Sequence, residues 1–288
     1  MNNNHNKNPL VSVGIPTYNR LAGLRRTLEY ITRQTYQNLE IIVSDNCSPN
    51  TDIDTVMSYF MASDPRISYF RQPTNRGIVE NYNFVLEKSS GEYFMWAADD
   101  DEWEPDFIDR CLSEMSGFGS VMCEFETVYR LNGRIEKNQL PSLGSSGSVY
   151  ADALAFINLM QPTLVNGLHR RSDIQFILDK QVYFDFYDCY FILRQILGPG
   201  FKTIQGVSYR AGIEKAEYQL KTLDSVSRKL NYMTIARRVL PLFLLSRKLN
   251  QWQKVVLSAT FLKVLVGLYA HHERERKPWL AFFINKLL

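Results

Sequence analysis

Leu10-Val11-Ser12-Val13-Gly14-Ile15-Pro16-Thr17-Tyr18-Asn19-Arg20 passes from a β-branched apolar run into a polar turn, and its reading decides the fold. The run reads as a strand, stopped by Pro16 because proline lacks the N–H that a strand ladder uses. Arg20 to Gln34 then places Leu21, Leu24, Leu28 and Ile31 at helical spacing. The alternation repeats. Leu39 to Val43 is a second strand, ending at Ser44-Asp45-Asn46; Thr51 to Ala62 is a helix; Ile67 to Phe70 is a short third strand. Gly77 to Lys88 is a helix with Val79, Phe84, Val85 and Leu86 towards the core, and Tyr93 to Ala97 is a buried strand running into Asp99-Asp100-Asp101. Strands alternating with helices predict right-handed crossovers and a mostly parallel sheet with flanking helices. Ligands of such sheets collect beyond the carboxyl ends of the strands. Three polar clusters fall there: Thr17 to Arg20, Asp45-Asn46, and Asp99 to Asp101.

Three adjacent carboxylates on a turn repel one another unless a cation lies among them, and their hard oxygens suit Mg2+ or Mn2+ with phosphate as a further ligand. A solvated acidic turn before the helix near Glu104 is the plainer reading. The clusters together fit a nucleoside diphosphate: Asp45 accepts from a base edge, Thr17 and Tyr18 line base and ribose, and the metal bridges two phosphates. Arg76, in Asn75-Arg76-Gly77, offers a guanidinium to phosphate oxygens or is an exposed helix-start arginine. The absence of G-x-G-x-x-G and of G-x-x-x-x-G-K-[ST] argues against a nicotinamide dehydrogenase and a P-loop nucleotidase.

Val11 to Arg20, Glu40 to Ser48, Asn75-x-Gly77, Gly91-Glu92-Tyr93 and the Asp triplet with Trp103 and Pro105 stand in the order found in family 2 glycosyltransferases, and residues 10–215 resemble that family. Trp96-x-x-Asp99-Asp100-Asp101 resembles bacterial transferases that build O-antigen and capsule repeats, including abequosyltransferase-like proteins. The resemblance implies a GT-A fold and inverting, metal-dependent transfer from a nucleoside-diphosphate sugar to a glycan or lipid-linked glycan. It places the donor at Pro16, Thr17, Tyr18, Asn19, Arg20, Asp45, Asn46, Arg76, Asp99 and Asp100. It also implies a carboxylate base at a helix start, where Tyr187-Asp188-Cys189-Tyr190-Phe191-Ile192-Leu193-Arg194 puts Asp188, with Asp185 competing. The metal falls to Asp99, Asp100 and Asp101, either as an Asp99/Asp101 pair or, in a register ending at Trp103, through Asp100. Trp103, His169 and Arg170 are expected by the acceptor cleft, a lone histidine in such a place being more often a structural hydrogen-bonder than a catalyst. Asn81-Tyr82-Asn83 stands where the family often shows Ala-Arg-Asn. Tyr209-Arg210 closes the diphosphate side or ends a solvated strand.

Between Gly117 and Tyr150 the sequence gives two short strands, Ser120 to Phe125 and Thr127 to Leu131, then a Gly/Ser-rich loop, Ser142 to Ser148, read as a lid or a linker. This bounds three segments: a disordered, polar 1–8 with no signal peptide, a catalytic 9–220, and a helical extension 221–288. The extension carries 13 Lys+Arg against 3 Asp+Glu, whereas 1–220 carry 20 against 27. Val226, Leu230, Met233, Val239 and Leu240, then Trp252, Val255, Val256, Ala259, Leu262 and Val266, make basic amphipathic helices, and Trp279 to Ile284 is apolar. They suit an anionic membrane surface, or packing on the catalytic domain or a second copy in a homo-oligomer. Four unpaired cysteines, no apolar run of about 20 residues and no nucleic-acid motif point to a cytoplasmic protein at the inner face of the cell membrane. Nucleotidyl transfer and a catalytically inactive binding subunit remain as alternatives at this stage.

Overall fold

The computed structural model describes residues 8–179, 186–213 and 232–276. Asp185, Val226, Leu230 and the segment Trp279 to Ile284 lie outside the described residues. One sheet of nine strands forms the centre, in the order β3-β2-β1-β4-β8-β6-β9-β5, with β7 pairing to β6. The strands are β1 (Val11–Thr17), β2 (Leu39–Asp45), β3 (Ile67–Arg71), β4 (Tyr93–Trp96), β5 (Glu102–Trp103), β6 (Ser120–Tyr129), β7 (Arg134–Lys137), β8 (Leu168–Arg170) and β9 (Phe201–Ile213). β1 pairs parallel with β2 and β4, β2 with β3, and β6 with β9; β8, β5 and β7 run antiparallel to their neighbours. The sheet is therefore mixed but mostly parallel, as the sequence predicts.

The helices are α1 (Leu21–Thr32), α2 (Asp52–Ser63), α3 (Ile78–Lys88), α4 (Phe107–Ser113), α5 (Val149–Leu159), the single turn α6 (Arg171–Ile174), and α7 (Tyr187–Leu197). Two C-terminal helices follow, Tyr232–Leu244 and Gln251–Arg276. α1 buries Leu24, Leu28 and Ile31 completely, at about 1.5–3 kcal/mol for each such side chain. α3 differs from expectation. It buries Val85 and Leu86 but leaves Val79 exposed, and the polar Asn81 takes the inward place. Asn81 earns that place by bonding: its Oδ1 accepts from the Ser44 hydroxyl (2.6 Å), and its Nδ2 donates to the carbonyls of Ser44 (3.1 Å) and Thr17 (3.3 Å). It thus ties α3 to the carboxyl ends of β1 and β2.

Two further differences have local causes. Pro16 lies inside β1 instead of stopping it. Ala97 N–H donates to Gly14 O, so the even-numbered residues of β1 face β4, and β4 has ended where Pro16 lacks its donor. The expected pair of short strands after Ser120 is one ten-residue strand, β6, its register against β9 shifted around Glu124. The chain leaves β3 at one side and returns through α3 to β4 on the other side of β1. The point where strand order reverses therefore lies between β1 and β4, the usual ligand crevice of an open α/β sheet.

Candidate active site

The crevice at the β1/β4 switch point is closed by side chains from both strands. The Thr17 hydroxyl donates to Asp99 Oδ2 at 2.6 Å, and Arg20 Nη1 donates to Asp99 Oδ1 (3.2 Å) and Asp100 Oδ2 (2.6 Å). Two glycines let backbone approach this acidic turn. A Cβ at Gly23 in α1 would lie 2.0 Å from Asp99 O, and one at Gly212 in β9 would lie 1.9 Å from Asp100 O. Nothing larger than hydrogen fits either place.

The three carboxylates do not converge: of the two expected arrangements, the Asp99/Asp101 pair is not brought together, because Asp99 faces Thr17 and Arg20 while Asp101 faces β9. Asp101 is turned towards β9. It accepts from the Tyr209 hydroxyl, from Gly212 N–H (2.9 Å) and from Asn166 Nδ2 (3.4 Å). No cluster of three His, Cys, Asp or Glu side chains suited to a metal occurs among the described residues. Asp99 and Asp100 are different: one oxygen of each already points at a single positive centre, the Arg20 guanidinium. Two hard oxygens aimed at one cation are a fitting donor set for Mg2+ or Mn2+, with phosphate and water completing the shell. Burial pushes the Asp99 carboxyl up to about 6, and burial followed by the charge of Asp100 raises Asp101 as well.

Asp188 stands in the first turn of α7. Phe186, at φ 82°, takes the N-cap place, so Asp188 is not the cap. It opens on a cavity of about 560 Å³ lined also by Ile78, Val79, Tyr82, Asn83, Trp96 and Asn166. Its side chain is in contact with solvent, yet the concave wall around it raises the carboxyl above its ordinary value, with burial the single cause. Tyr82 connects the two acidic groups. Its hydroxyl is held protonated by burial and by the charges of Asp100, Asp99, Asp101 and Asp188. Asn166 connects them again, lining the cavity while bonding Asp101 and the Tyr209 hydroxyl (2.7 Å).

The remaining expected site residues divide. Tyr18, 45% exposed, presents its ring at the end of β1, and Asn19 follows in a left-handed turn with its N–H on Ser48 Oγ (2.7 Å). Asp45 stands at the end of β2 but is fully buried: Ser48 donates to it through N–H (3.1 Å) and hydroxyl, and Arg71 closes over it. A base edge reaches that carboxylate only when Ser48 turns aside. Asn46 clamps the following turn, bonding Asn75, Gly77 and the N–H of Arg76. The Arg76 guanidinium is paired with Glu80 at 2.8 Å on the surface of α3.

The residues expected at the acceptor do not line the cavity. Trp103 is 1% exposed and packs on Tyr209, so its ring has no face for a sugar. His169 is fully buried; Nε2 donates to Val165 O and Nδ1 meets Ser120 Oγ, both at 2.8 Å. Arg170 pairs in register with Tyr93, the residue that begins β4, and so lies at the end of the sheet opposite the acidic turn. The cause is the direction of β8. Because it runs antiparallel to β4, its entry, Asn166, reaches the cleft and its exit, Arg170, leaves it. Arg210 pairs with Glu104 and Glu126, while Tyr209 beside it is buried on Asp101. Sequence reading missed Asn166, Tyr82 and Trp96 as cleft residues; the Asn81-Tyr82-Asn83 departure was the available signal for one of them.

Comparison with known proteins gives a consistent picture. The family model described as Glycosyl transferase family 2 matches residues 12–201. A protein of Campylobacter jejuni, GalNAc(5)-diNAcBac-PP-undecaprenol beta-1,3-glucosyltransferase, is 39% identical over 95 residues, 33% of this chain and 30% of that one. The match thus spans about a third of that relative's length. Among solved structures, S. aureus TarS 1-349 in complex with UDP aligns with a TM-score of 0.66 at 18% identity, covering 88% of this chain and 70% of that one. The mannosyltransferase PcManGT from Pyrobaculum calidifontis, in complex with GDP-Man and Mn2+, aligns with a TM-score of 0.57 at 15% identity, covering 97% and 79%. These two likenesses concern the fold, which is the GT-A architecture with C-terminal helices added.

Proposed function

This chain belongs to glycosyl transferase family 2, and from that membership we propose that it moves a sugar, with inversion, from a nucleoside-diphosphate donor to a glycan or lipid-linked glycan of a bacterial surface polysaccharide. The observation that carries the reading is one cavity, walled by Trp96, in which Tyr82 and Asn166 stand between the Asp99–Asp101 turn and Asp188. Membership sets nucleotidyl transfer aside.

In this proposal the donor base lies beside Tyr18 and Asp45, and the diphosphate lies over Asp99, Asp100 and Arg20. Asp99 and Asp100 would hold Mg2+ or Mn2+, which supplies positive charge against the departing diphosphate. Asp188 accepts the proton of the acceptor hydroxyl. That oxygen bonds to the anomeric carbon from the face opposite the diphosphate, and the old carbon–oxygen pair leaves on the phosphate. A raised carboxyl pKa is the useful direction for such a base, since proton transfer is best matched when base pKa and working pH approach each other. The Tyr82 hydroxyl, kept protonated, is a donor within the same cavity. The apolar wall of Ile78, Val79, Trp96, Val165 and Ile177 suits a sugar ring poor in hydroxyls, which supports the abequosyltransferase-like reading. The basic C-terminal helices would keep the enzyme at the cytoplasmic surface of the membrane, where a lipid-linked acceptor is met.

The test is a panel of nucleoside-diphosphate sugars offered with Mn2+ or Mg2+, read by thermal shift and by release of nucleoside diphosphate. Stabilisation and slow hydrolysis with at least one donor are expected. No response to any nucleoside diphosphate or its sugars would overturn the proposal.

A further inference from the structure

A second cavity, of about 550 Å³, opens between α7 and the first C-terminal helix, away from the donor crevice. Its cations are Arg194, Arg237, Arg238, Arg247 and Lys248, and no carboxylate lines it among the described residues. Its walls are apolar, with Leu197, Pro241, Leu242 and Leu245 among them. Two of the cations are fixed in place. Arg194 lies 4.0 Å from the centre of the Phe176 ring, with a bond to the Tyr190 hydroxyl (3.3 Å), and Lys248 donates to Gly198 O. These side chains gather positive charge around one opening.

What surrounds the cavity says which anion. The rim residue Leu245 is 78% exposed, and a few residues later Trp252 and Val255 are 66% and 63% exposed. On the second C-terminal helix Trp252 and Val255 share one exposed apolar face with Leu262 and Val266, while Leu245 stands apart on the turn after the first. The opposite side, Leu257, Phe261 and Leu265, is the one that packs on the protein. An exposed apolar stripe beside clustered cations is complementary to a membrane interface: acyl chains for the stripe, phosphates for the cations. Among the described residues no helix is long and apolar enough to cross a membrane, so the fit is to its surface.

We propose that this cavity is a binding site for the phosphate headgroup of an anionic membrane lipid, with Arg237, Arg247, Lys248 and Arg194 as its phosphate contacts. The proposal rests on the reading of the C-terminal helices as a membrane-surface device and gives that reading an address. α7 carries Asp188 at its start and Arg194 six residues on, roughly 9 Å of helix rise. One rigid helix thus fixes the distance between headgroup and catalytic cavity, and holds the cleft at a set height over the bilayer.

The test uses the full chain and flotation with vesicles of phosphatidylcholine alone or with added phosphatidylglycerol, no sugar donor being present. Binding to the phosphatidylglycerol vesicles and little to the neutral ones is expected. Arg237→Gln/Arg247→Gln should weaken it roughly 10- to 30-fold, as two surface-proximal cations would. Arg25→Gln/Arg33→Gln, which removes equal charge from α1 and its C-cap, should leave it within twofold. The single Arg247→Gln, in an exposed turn, repeats the comparison with less risk to folding, and an unchanged melting temperature is the check. Equal loss in both double variants, or no loss in the cavity variants, overturns the site. Binding of inorganic pyrophosphate that is sensitive to Arg237→Gln/Arg247→Gln, without vesicle binding, assigns the cavity to a free phosphate and overturns the lipid. None of these readouts depends on glycosyl transfer, so failure here is separable from failure of the enzymatic proposal.

Discussion

His169 gives the sharpest quantitative expectation. Its imidazole is fully buried, with Nε2 donating to Val165 O and the ring edge-on to Phe191 at 5.0 Å. Burial lowers its pKa from 6.5 to about 4. The sign follows from proton counts. Between pH 6.5 and 4 the unfolded chain binds a proton that the folded chain refuses, so stability present above 6.5 is lost as pH falls through this window. The slope is about 1.4 kcal/mol per pH unit, or roughly 3 kcal/mol across the window. Urea unfolding of the wild type and of His169→Gln, which keeps hydrogen-bonding capacity but does not titrate, isolates the imidazole from every other acid. The wild-type stability should fall more steeply with acid than that of the variant, by about that amount. Parallel curves would refute the burial argument, and a change confined to acceptor KM would return His169 to the cleft.

Three further expectations follow from the site. Gly23→Ala places a methyl carbon 2.0 Å from Asp99 O; it should cost ~1–3 kcal/mol of stability and weaken donor binding, while Gly267→Ala, with nothing within 4 Å, should do neither. The acid limb of the kcat/KM profile should have its midpoint above 3.8, the ordinary Asp value, because Asp188 must be ionised to accept a proton and burial opposes that charge; a limb at or below that value removes Asp188 from the reaction. Arg20→Gln frees the two oxygens that share its guanidinium, and Mn2+ affinity without donor, read by the loss of the free-ion EPR signal, should rise about tenfold or more; unchanged or weaker affinity would show that Asp99 and Asp100 are not the ligand pair.

Much of the fold was legible because its signals are local. The strand at Val11, the helix carrying Leu24, Leu28 and Ile31, and the acidic turn after Trp96 each declare themselves within about a dozen residues. The crevice followed from strand alternation alone. What was not legible depends on contacts far apart in sequence. The direction of the three-residue β8 decides that Asn166 enters the cleft and Arg170 leaves it, and no pattern within β8 states its direction. Asp99, Asp100 and Asp101 are chemically equal in sequence; Tyr209 and Gly212, over a hundred residues on, separate the third from the other two. The need for glycine at position 23 is likewise set from a distance, by the Asp99 carbonyl. On the helix from Gln251 the named apolar residues Trp252, Val255, Leu262 and Val266 face outward, while Leu257, Phe261 and Leu265, which the sequence does not set apart from them, do the packing.

The central claim is that Asp188 removes the acceptor proton in the same cavity that receives the donor. It is tested most directly by measuring transfer and donor affinity side by side for the wild type and Asp188→Asn, which preserves shape and removes the base. A fall in kcat of roughly 10²–10⁴ with donor Kd nearly unchanged is the expected result. Transfer within a few-fold of the wild type would contradict the claim, as would loss of donor binding together with loss of rate.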